Sequence, residues 1–161
     1  VQTANRLGIL SKIDKDDPTI VLGTTEVSLF ELTGAYASIA NEGEAVIPYV
    51  VREVKNGQEE IVYQRSSSGL GNVISPEAEM YIREVMRETV RTGTGKNANV
   101  ASNIYGKTGT SQDFRDAWFI GFNSNYVTGV WIGNDDNSPT NKITGGSLPA
   151  ELFYEVMRKI N

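Results

Sequence analysis

The residues of this chain that are best placed for chemistry are Lys107, Thr108, Gly109 and Thr110. They end a run, residues 104–110, that is predicted to form a strand. If this is an edge strand, Thr108 and Thr110 offer backbone N–H and C=O groups on the same side, because groups two residues apart point the same way. An extended peptide can bind to such an edge as an additional strand. Gly109 has no side chain to hold that peptide away.

The side chains of the same four residues supply groups that acyl transfer requires. Lys107 places a positive charge where an anionic group must be held or where the proton network of a nucleophile is tuned. The hydroxyls of Thr108 and Thr110 can donate to a carboxylate, and the Thr110 N–H can act as one oxyanion donor. The tetrapeptide alone is also compatible with an ordinary surface strand or turn, so its interpretation depends on the surrounding sequence.

Composition excludes several classes of function. The chain has 161 residues, 39% apolar and 22% charged, which indicates one globular domain with a core. Its net charge of −5 argues against a nucleic-acid partner and against contact with an anionic membrane. It contains no Cys and no His, which excludes a Ser-His-Asp triad and most zinc sites, and we expect neither metal nor cofactor. Val1 stands where an initiator Met would, which predicts that the chain begins within a longer protein.

Helical spacing of apolar residues, with start and stop signals, predicts four helices. The first predicted helix ends near residue 8, the second spans 28–43, the third spans 75–93, and the fourth runs from about 147 to the C terminus. Gly8 takes the C′ position of the first. Ser28 and Glu31 form a capping box, and Glu31 is expected to be only a cap. Core-facing residues are predicted on the last two helices: Tyr81, Ile82, Val85, Met86 and Val90, and Leu152, Phe153, Val156, Met157 and Ile160.

The remaining apolar runs predict strands. Asn56-Gly57 lies between runs at 50–54 and 61–65, which predicts a hairpin with a two-residue turn, followed by a polar loop at 66–69. Three further strands are predicted at 104–110, 117–122 and 126–132. The middle one is apolar on both faces, which is typical of a central, covered strand. Together these elements predict the α+β class, with an antiparallel sheet flanked by helices.

Motifs in a defined order occur along nearly the whole chain. They lie at 4–9, 22–32, 35–43, 91–95, 106–121, 127–136, 144–146 and 149–150. The most specific stretch joins Gly-Lys-Thr-Gly-Thr at 106–110 to Asp-Phe-Arg-Asp-Ala-Trp-Phe-Ile-Gly at 113–121. In these motifs the chain resembles the C-terminal half of the transpeptidase domain of class A penicillin-binding proteins, the bifunctional peptidoglycan synthases.

The resemblance implies the penicillin-binding transpeptidase/serine β-lactamase-like fold, with residues 1–161 as the C-terminal part of one transpeptidase domain. It implies a D,D-transpeptidase that cleaves a peptidoglycan stem peptide, forms an acyl-serine and passes the acyl group to an amine on a neighbouring stem. β-Lactams would acylate the same serine. Lys107 and Thr110 would be catalytic, and Thr108, Gly109 and Thr110 would bind the substrate. The parent protein would be membrane-anchored, with this domain on the periplasmic side of the inner membrane.

Two other motifs of such enzymes, Ser-x-x-Lys and Ser-x-Asn, do not occur in the chain. We expect them upstream of Val1, so that this chain would lack the nucleophile and be inactive alone. The family's sheet has five strands, two of them from upstream sequence, which would leave strand 126–132 as an open apolar edge. We expect that edge to pair with the missing N-terminal half of the domain, a second copy or the chain's own terminus.

Two alternatives remain open on the sequence. One is a serine β-lactamase or D,D-carboxypeptidase, although Asp-Ala-Trp-Phe at 116–119 and Gly-Asn-Asp-Asp at 133–136 look more like the synthases. The other is a non-catalytic peptide-binding module that uses the edge formed by Thr108 and Thr110 without chemistry.

Other clusters of polar or aromatic residues have simpler interpretations. Arg83, Arg87, Arg91 and Lys96 are expected to form a solvated stripe. Trp118 and Trp131 are expected to pack across strands rather than to form a sugar platform. Asp113, Arg115 and Asp116 are expected to form a salt bridge or cap a turn, in preference to recognising the acceptor stem. The runs at 93–96 and 134–137 fit neither a phosphate loop nor a calcium loop.

Overall fold

The computed structural model describes residues 1–66 and 70–160, which form α-helices, short 3-10 turns and two antiparallel sheets. In chain order the helices and strands are α1 (Gln2–Arg6), α2 (Leu29–Ala40), β1 (Glu53–Lys55), β2 (Ile61–Gln64), α3 (Pro76–Arg91), β3 (Tyr105–Thr110), β4 (Asp116–Phe122), β5 (Val127–Gly133) and α4 (Leu148–Ile160). Helices flank the larger sheet, so the predicted α+β class is confirmed. No helix among the described residues is long and apolar enough to cross a membrane.

The larger sheet has the order β3-β4-β5, and both pairs of neighbours are antiparallel. β4 is central, and its residues Phe119, Ile120 and Phe122 are buried, which confirms the predicted covered strand. Asn123 closes the turn into β5, because its side-chain oxygen accepts from the N–H groups of residues 125 and 126 at 2.9 Å. The turn thus sets β5 directly beside β4.

One apolar cluster lies on each face of this sheet. Phe119 and Phe122 are three residues apart on β4 and therefore point to opposite faces. Phe119 packs on Phe153 of α4, with ring centroids 4.8 Å apart. Phe122 packs with Ile39 of α2 and Met86 of α3. The two clusters fix the helices that surround the sheet.

The predicted core face of α4 is only partly correct. Phe153 and Met157 are completely buried, whereas Leu152, Val156 and Ile160 are 41–43% exposed. Positions 153 and 157 form one stripe along the helix, and the other three lie on a neighbouring stripe about 60–100° around its axis. A sheet of three strands covers the first stripe and does not reach the second. We call Leu148, Leu152, Val156 and Ile160 the α4 stripe.

The predicted core face of α3 is likewise only partly correct. Met86 and Val90 are buried and Ile82 is half-buried, but Tyr81 and Val85 are 71% and 46% exposed. The start of the helix agrees with the prediction, because the Ser75 hydroxyl accepts from the backbone N–H three residues on. The start of α3 was therefore predictable from the sequence, whereas the width of the helix face that neighbouring elements cover was not.

The hairpin is shorter than predicted, and its turn differs. Lys55 pairs with Ile61, so the connection contains five residues rather than two. The Asn56 side-chain oxygen accepts from the N–H groups of residues 58 and 60, and Glu59 takes a positive φ of 65°. This side-chain-to-backbone bonding favours a longer turn than Asn-Gly usually makes. Of the predicted polar loop at 66–69, residues 67–69 lie outside the described residues.

Glu31 is more than the predicted cap. The capping box with Ser28 is present. The same carboxylate also accepts from the Ser11 hydroxyl at 2.6 Å and from the backbone N–H groups of Leu10 and Ser11. These bonds, with the Ser11 hydroxyl first, lower the pKa of Glu31 to about 2. Glu31 therefore anchors the segment after α1 to the start of α2.

Arg83 departs from the predicted solvated stripe. Arg87 and Arg91 pair with acids three residues before them on the exposed side of α3. Arg83 instead pairs with Glu79 and donates to the backbone oxygens of residues 39 and 40 at the end of α2. Its guanidinium also lies 5.4 Å from the ring centres of Tyr105 and Phe122. It joins α2, α3 and the sheet, because helix-terminal carbonyls and aromatic faces both attract a cation.

The outer edge of β5 is open, as predicted. Among the described residues, β4 is the only strand that pairs with β5. The option of pairing with the chain's own terminus is wrong, because the described terminal segments form helices α1 and α4. α4 packs on β5 as well as on β4, and the Thr128 hydroxyl of β5 lies 3.5 Å from the Met157 sulfur. The open edge of β5 and the exposed α4 stripe therefore belong to two elements that pack on each other.

Candidate functional site

The predicted site residues lie on β3, an edge strand of the larger sheet. The Ser111 N–H donates to the Asp116 oxygen at 3.0 Å, which continues the hydrogen-bond ladder between β3 and β4. Because directions repeat every two residues, Lys107 and Gly109 direct their backbone groups to β4. Thr108 and Thr110 direct theirs to the open edge. α3 packs near the beginning of β3, where Val90 lies against Gly106, and Thr110 at the other end of the strand is exposed.

The Lys107 side chain lies at the same edge. It is exposed, and its ammonium group donates to the Thr108 backbone oxygen at 2.8 Å. That oxygen is one of the outward-facing groups, so the positive charge is next to the backbone groups to which an added strand would bind.

The Thr108 hydroxyl has a partner that the sequence analysis did not assign. Its oxygen lies 2.7 Å from the hydroxyl oxygen of Thr94. Thr94 belongs to the turn that follows α3, where the N–H groups of Gly93 and Gly95 donate back to the last turn of the helix. The motif at 91–95 was noted only for its resemblance. Sequence spacing could not reveal a contact between residues that are separated by a 3-10 turn, a loop and the beginning of β3.

The Thr110 hydroxyl supports a second loop. It accepts from the Gly145 N–H at 3.0 Å. Gly145 is buried against the Gly109–Trp118 pair of strands β3 and β4, where an added Cβ would lie 2.5 Å from the Gly109 oxygen. Only glycine allows this close approach of two backbones. The Thr-Gly-Gly motif at 144–146 therefore positions the end of β3.

Gly109 serves the sheet as well as the edge. A Cβ at this position would lie 3.2 Å from the Trp118 Cβ, directly across the strand pair. The absence of a side chain thus makes room for the tryptophan. Trp118 also packs on Trp131 of β5, with ring centroids 6.3 Å apart, which confirms the predicted cross-strand packing.

The charged residues after β3 hold loops together. Arg115 lies 3.9 Å from Asp113 and donates to the Asn137 backbone oxygen. Asp116 accepts from the indole N–H of Trp131 at 2.9 Å. These contacts agree with the structural role that was expected for the three residues. They also fix the loop after β5 beside the end of β3.

Comparison with known proteins decides the family. A family model described as the penicillin-binding protein transpeptidase domain matches residues 10–158. The chain belongs to this family. The resemblance of the motifs to class A penicillin-binding proteins is thereby confirmed, and so is the penicillin-binding fold.

Curated relatives of this penicillin-binding transpeptidase chain include penicillin-binding protein 1A of Aquifex aeolicus, which is 35% identical over 140 residues. That alignment covers 84% of this chain and 19% of the relative. Penicillin-binding protein 1A of Rickettsia conorii is 33% identical over 181 residues, covering 98% of this chain and 23% of the relative. The chain thus spans about a fifth of the length of the curated relatives that it matches.

A solved structure, the penicillin-binding protein PonA1 from Mycobacterium tuberculosis, has the same fold. It superposes with a TM-score of 0.83 at 23% identity, covering 96% of this chain and 47% of PonA1. Penicillin-binding protein 1A from Haemophilus influenzae gives a TM-score of 0.81 at 22% identity, covering 97% of this chain and 29% of that protein. β3 therefore lies within a fold that these proteins share.

Proposed function

We propose that this chain supplies the Lys-Thr-Gly-Thr strand of a peptidoglycan D,D-transpeptidase that works through an acyl-serine intermediate. The observation that carries the proposal is the open edge of β3, where outward backbone groups, two hydroxyls and one ammonium group lie together. The serine would come from a nucleophile-bearing polypeptide, by which we mean a polypeptide that carries Ser-x-x-Lys and Ser-x-Asn.

The reaction consists of two acyl transfers at one carbonyl group. The serine oxygen attacks the carbonyl of the D-Ala-D-Ala bond, and the terminal D-Ala leaves as an amine that takes up a proton. An amine of a neighbouring stem peptide then attacks the acyl-serine and releases the serine. Both steps pass through a tetrahedral oxyanion. The outward N–H of Thr110 is one donor to it, a role that lowers the barrier by about 3–4 kcal/mol in comparable sites.

Lys107 and the two threonines divide the remaining roles. The Lys107 ammonium lies beside the serine of Ser-x-Asn and supports proton transfer to the leaving amine. The hydroxyls of Thr108 and Thr110 donate to the terminal carboxylate of the stem peptide, and Gly109 between them has no side chain to hold the substrate backbone away. A β-lactam presents a carboxylate and a strained amide in a similar arrangement, so it acylates the same serine.

Relatives of known structure support β-lactam binding. The PonA1 protein from Mycobacterium tuberculosis has been solved in complex with penicillin V. Penicillin-binding protein A from the same organism has been solved as acyl-enzyme complexes with ceftriaxone and with imipenem. Because peptidoglycan is cross-linked outside the cytoplasm, we place this chain there, on the periplasmic side of a membrane-anchored parent protein.

The open edge of β5 is the proposed contact with the nucleophile-bearing polypeptide. An unpaired edge strand and an exposed apolar stripe together favour burial by another protein segment. A second copy of this chain at the same edge would bring no Ser-x-x-Lys motif, because the chain contains none. The chain by itself is therefore inactive, and a peptide-binding module without chemistry is the function that remains if no such polypeptide exists.

The test is an intact-mass spectrum of this chain mixed with the nucleophile-bearing polypeptide and exposed to penicillin. We expect a penicilloyl adduct on the polypeptide with the Ser-x-x-Lys motif, formed faster when this chain is present. The same polypeptide alone and this chain alone are the controls. An adduct on this chain, or an adduct rate that is indifferent to this chain, contradicts the proposal.

A further inference from the structure

Thr94 places a third hydroxyl group beside the β3 edge, next to that of Thr108. Its oxygen is 2.7 Å from that of Thr108, which is within the usual range for a hydrogen bond between two hydroxyls. Either oxygen can be the donor in this pair, and the other keeps its own proton free. The pair therefore presents one proton to its surroundings, and its direction depends on which residue donates.

The backbone around Thr94 is held from two sides. On one side, the N–H of the buried Gly95 donates to the Thr89 oxygen at 2.9 Å. On the other side, Gly146 packs directly on the Thr94 backbone oxygen. The Asn97 side chain donates to the Gly146 oxygen at 2.9 Å and so holds that contact in place. A hydroxyl on such a fixed backbone can orient its neighbour at little entropic cost.

We propose that Thr94 is a positioning residue: it donates its hydroxyl proton to Thr108, so that the Thr108 proton points to the open edge and meets the ligand carboxylate. This rests on the proposed function, because it assigns a carboxylate to the β3 edge. A hydroxyl that accepts one hydrogen bond is polarised and donates a stronger one. Thr94 acts through Thr108 and does not itself contact the ligand.

The effect of Thr94 on the ligand can be separated from an effect on folding. Thr94 is exposed, so replacing its hydroxyl by a methyl group leaves no buried polar atom without water. Thr94→Val keeps the shape of the side chain, and Thr94→Ser restores the hydroxyl. Thr92→Val is the matched control, because Thr92 lies in the same turn and its hydroxyl faces Glu88 instead of β3.

The experiment measures acylation rates of the assembled enzyme, this chain with the nucleophile-bearing polypeptide, by benzylpenicillin and by its methyl ester. The ester lacks the carboxylate. We expect Thr94→Val to slow acylation by benzylpenicillin about tenfold and acylation by the ester less than about twofold. Thr94→Ser restores most of the rate, and Thr92→Val leaves both rates unchanged. Melting temperatures check that each variant is folded.

A double-variant comparison tests whether Thr94 acts through Thr108. In a Thr108→Val background, Thr94→Val should cause no further loss, because the hydroxyl that it orients is gone. Equal slowing on acid and ester, or additive losses in the double variant, overturns the positioning role. If the unsubstituted enzyme is acylated by neither benzylpenicillin nor its ester, the proposed function itself fails. That outcome differs from equal slowing on acid and ester and from additive losses, which overturn only the role of Thr94.

Discussion

The two outer strands of one sheet, β3 and β5, have open edges with very different surroundings. The β3 edge carries an ammonium group and two hydroxyls, and the loops at 91–95 and 144–146 hold it. β5 instead packs on α4, the helix that carries the exposed apolar α4 stripe. Backbone alone would make both edges equally ready to accept a strand. This difference in side chains is the basis of our proposal that β3 binds a small polar ligand and β5 binds protein, and we call them the proposed ligand edge and the proposed protein edge.

The largest expected effect is on the proposed ligand edge. Lys107→Ala, in this chain assembled with the nucleophile-bearing polypeptide, should slow acylation by penicillin by about 100-fold or more, because it removes a group that assists proton transfer. Lys12→Ala is the matched control, since Lys12 is exposed in the loop after α1, next to the residues that Glu31 binds at the start of α2. Stopped-flow or gel measurements with a fluorescent penicillin give both rates. Similar rates for the two variants would remove Lys107 from the mechanism.

A second prediction concerns the loop that supports the proposed ligand edge. Gly145→Ala should destabilise the fold by about 1–3 kcal/mol, because the added Cβ collides with backbone atoms of Gly109 and Trp118 that cannot move aside. Gly57→Ala is the control, with nothing within 4 Å of the new Cβ, and should change stability by less than about 1 kcal/mol. Urea unfolding measures both. Equal stability of the two variants would mean that the loop is not packed on β3.

The proposed protein edge can be tested through the α4 stripe. Val156→Asp places a charge on an already exposed position, so it should leave the fold of this chain intact. It should weaken association with the nucleophile-bearing polypeptide about tenfold or more, since the charge would be buried there without a partner. Glu155→Gln, one position away on the polar side, should have little effect. Titration calorimetry distinguishes the two, and unchanged affinity of Val156→Asp would place the contact elsewhere.

The smallest effect is expected away from both edges. Hydrogen bonds hold the pKa of Glu31 at about 2, below its ordinary value of 4.5. A depressed folded-state pKa stabilises the protein above pH 4.5, and this stabilisation is lost as the pH falls from 4.5 towards 2. The difference in urea midpoint between the natural chain and Glu31→Gln should therefore shrink over that range. A Glu31 difference that stays constant with pH would contradict this role.

The parts of the fold that sequence predicted are local. Ser28 and Ser75 begin helices because a capping side chain acts within one turn, and β4 is central because its own residues are apolar on both faces. The hairpin turn was wrong because the side chain of Asn56 closes a longer loop. The extent of the buried helix faces was wrong because it depends on how many strands lie beneath each helix, and that number is a property of the assembled sheet.

The same limit applies to the candidate site, where the consecutive residues were predicted and the contacts from other loops were not. Lys107, Thr108, Gly109 and Thr110 were found because a contiguous motif needs no long-range information. Thr94 and Gly145 were not assigned a role, since each reaches β3 from a separate loop. Arg83 and Glu31 were underestimated for the same reason, because their partners lie on other elements. The central residues of the site are consecutive, but many of the contacts that hold them in place come from segments that are distant in the sequence.

The most direct test of the two-edge account is residue-resolved amide hydrogen exchange. The outward N–H groups are those of Thr108 and Thr110 on β3, and of Val127, Gly129 and Trp131 on β5. Adding the nucleophile-bearing polypeptide should slow exchange on β5, and adding penicillin to that assembly should then slow exchange at Thr110 while β5 changes little. Protection of β3 by the polypeptide alone, or of β5 by penicillin, would contradict the assignment of the two edges.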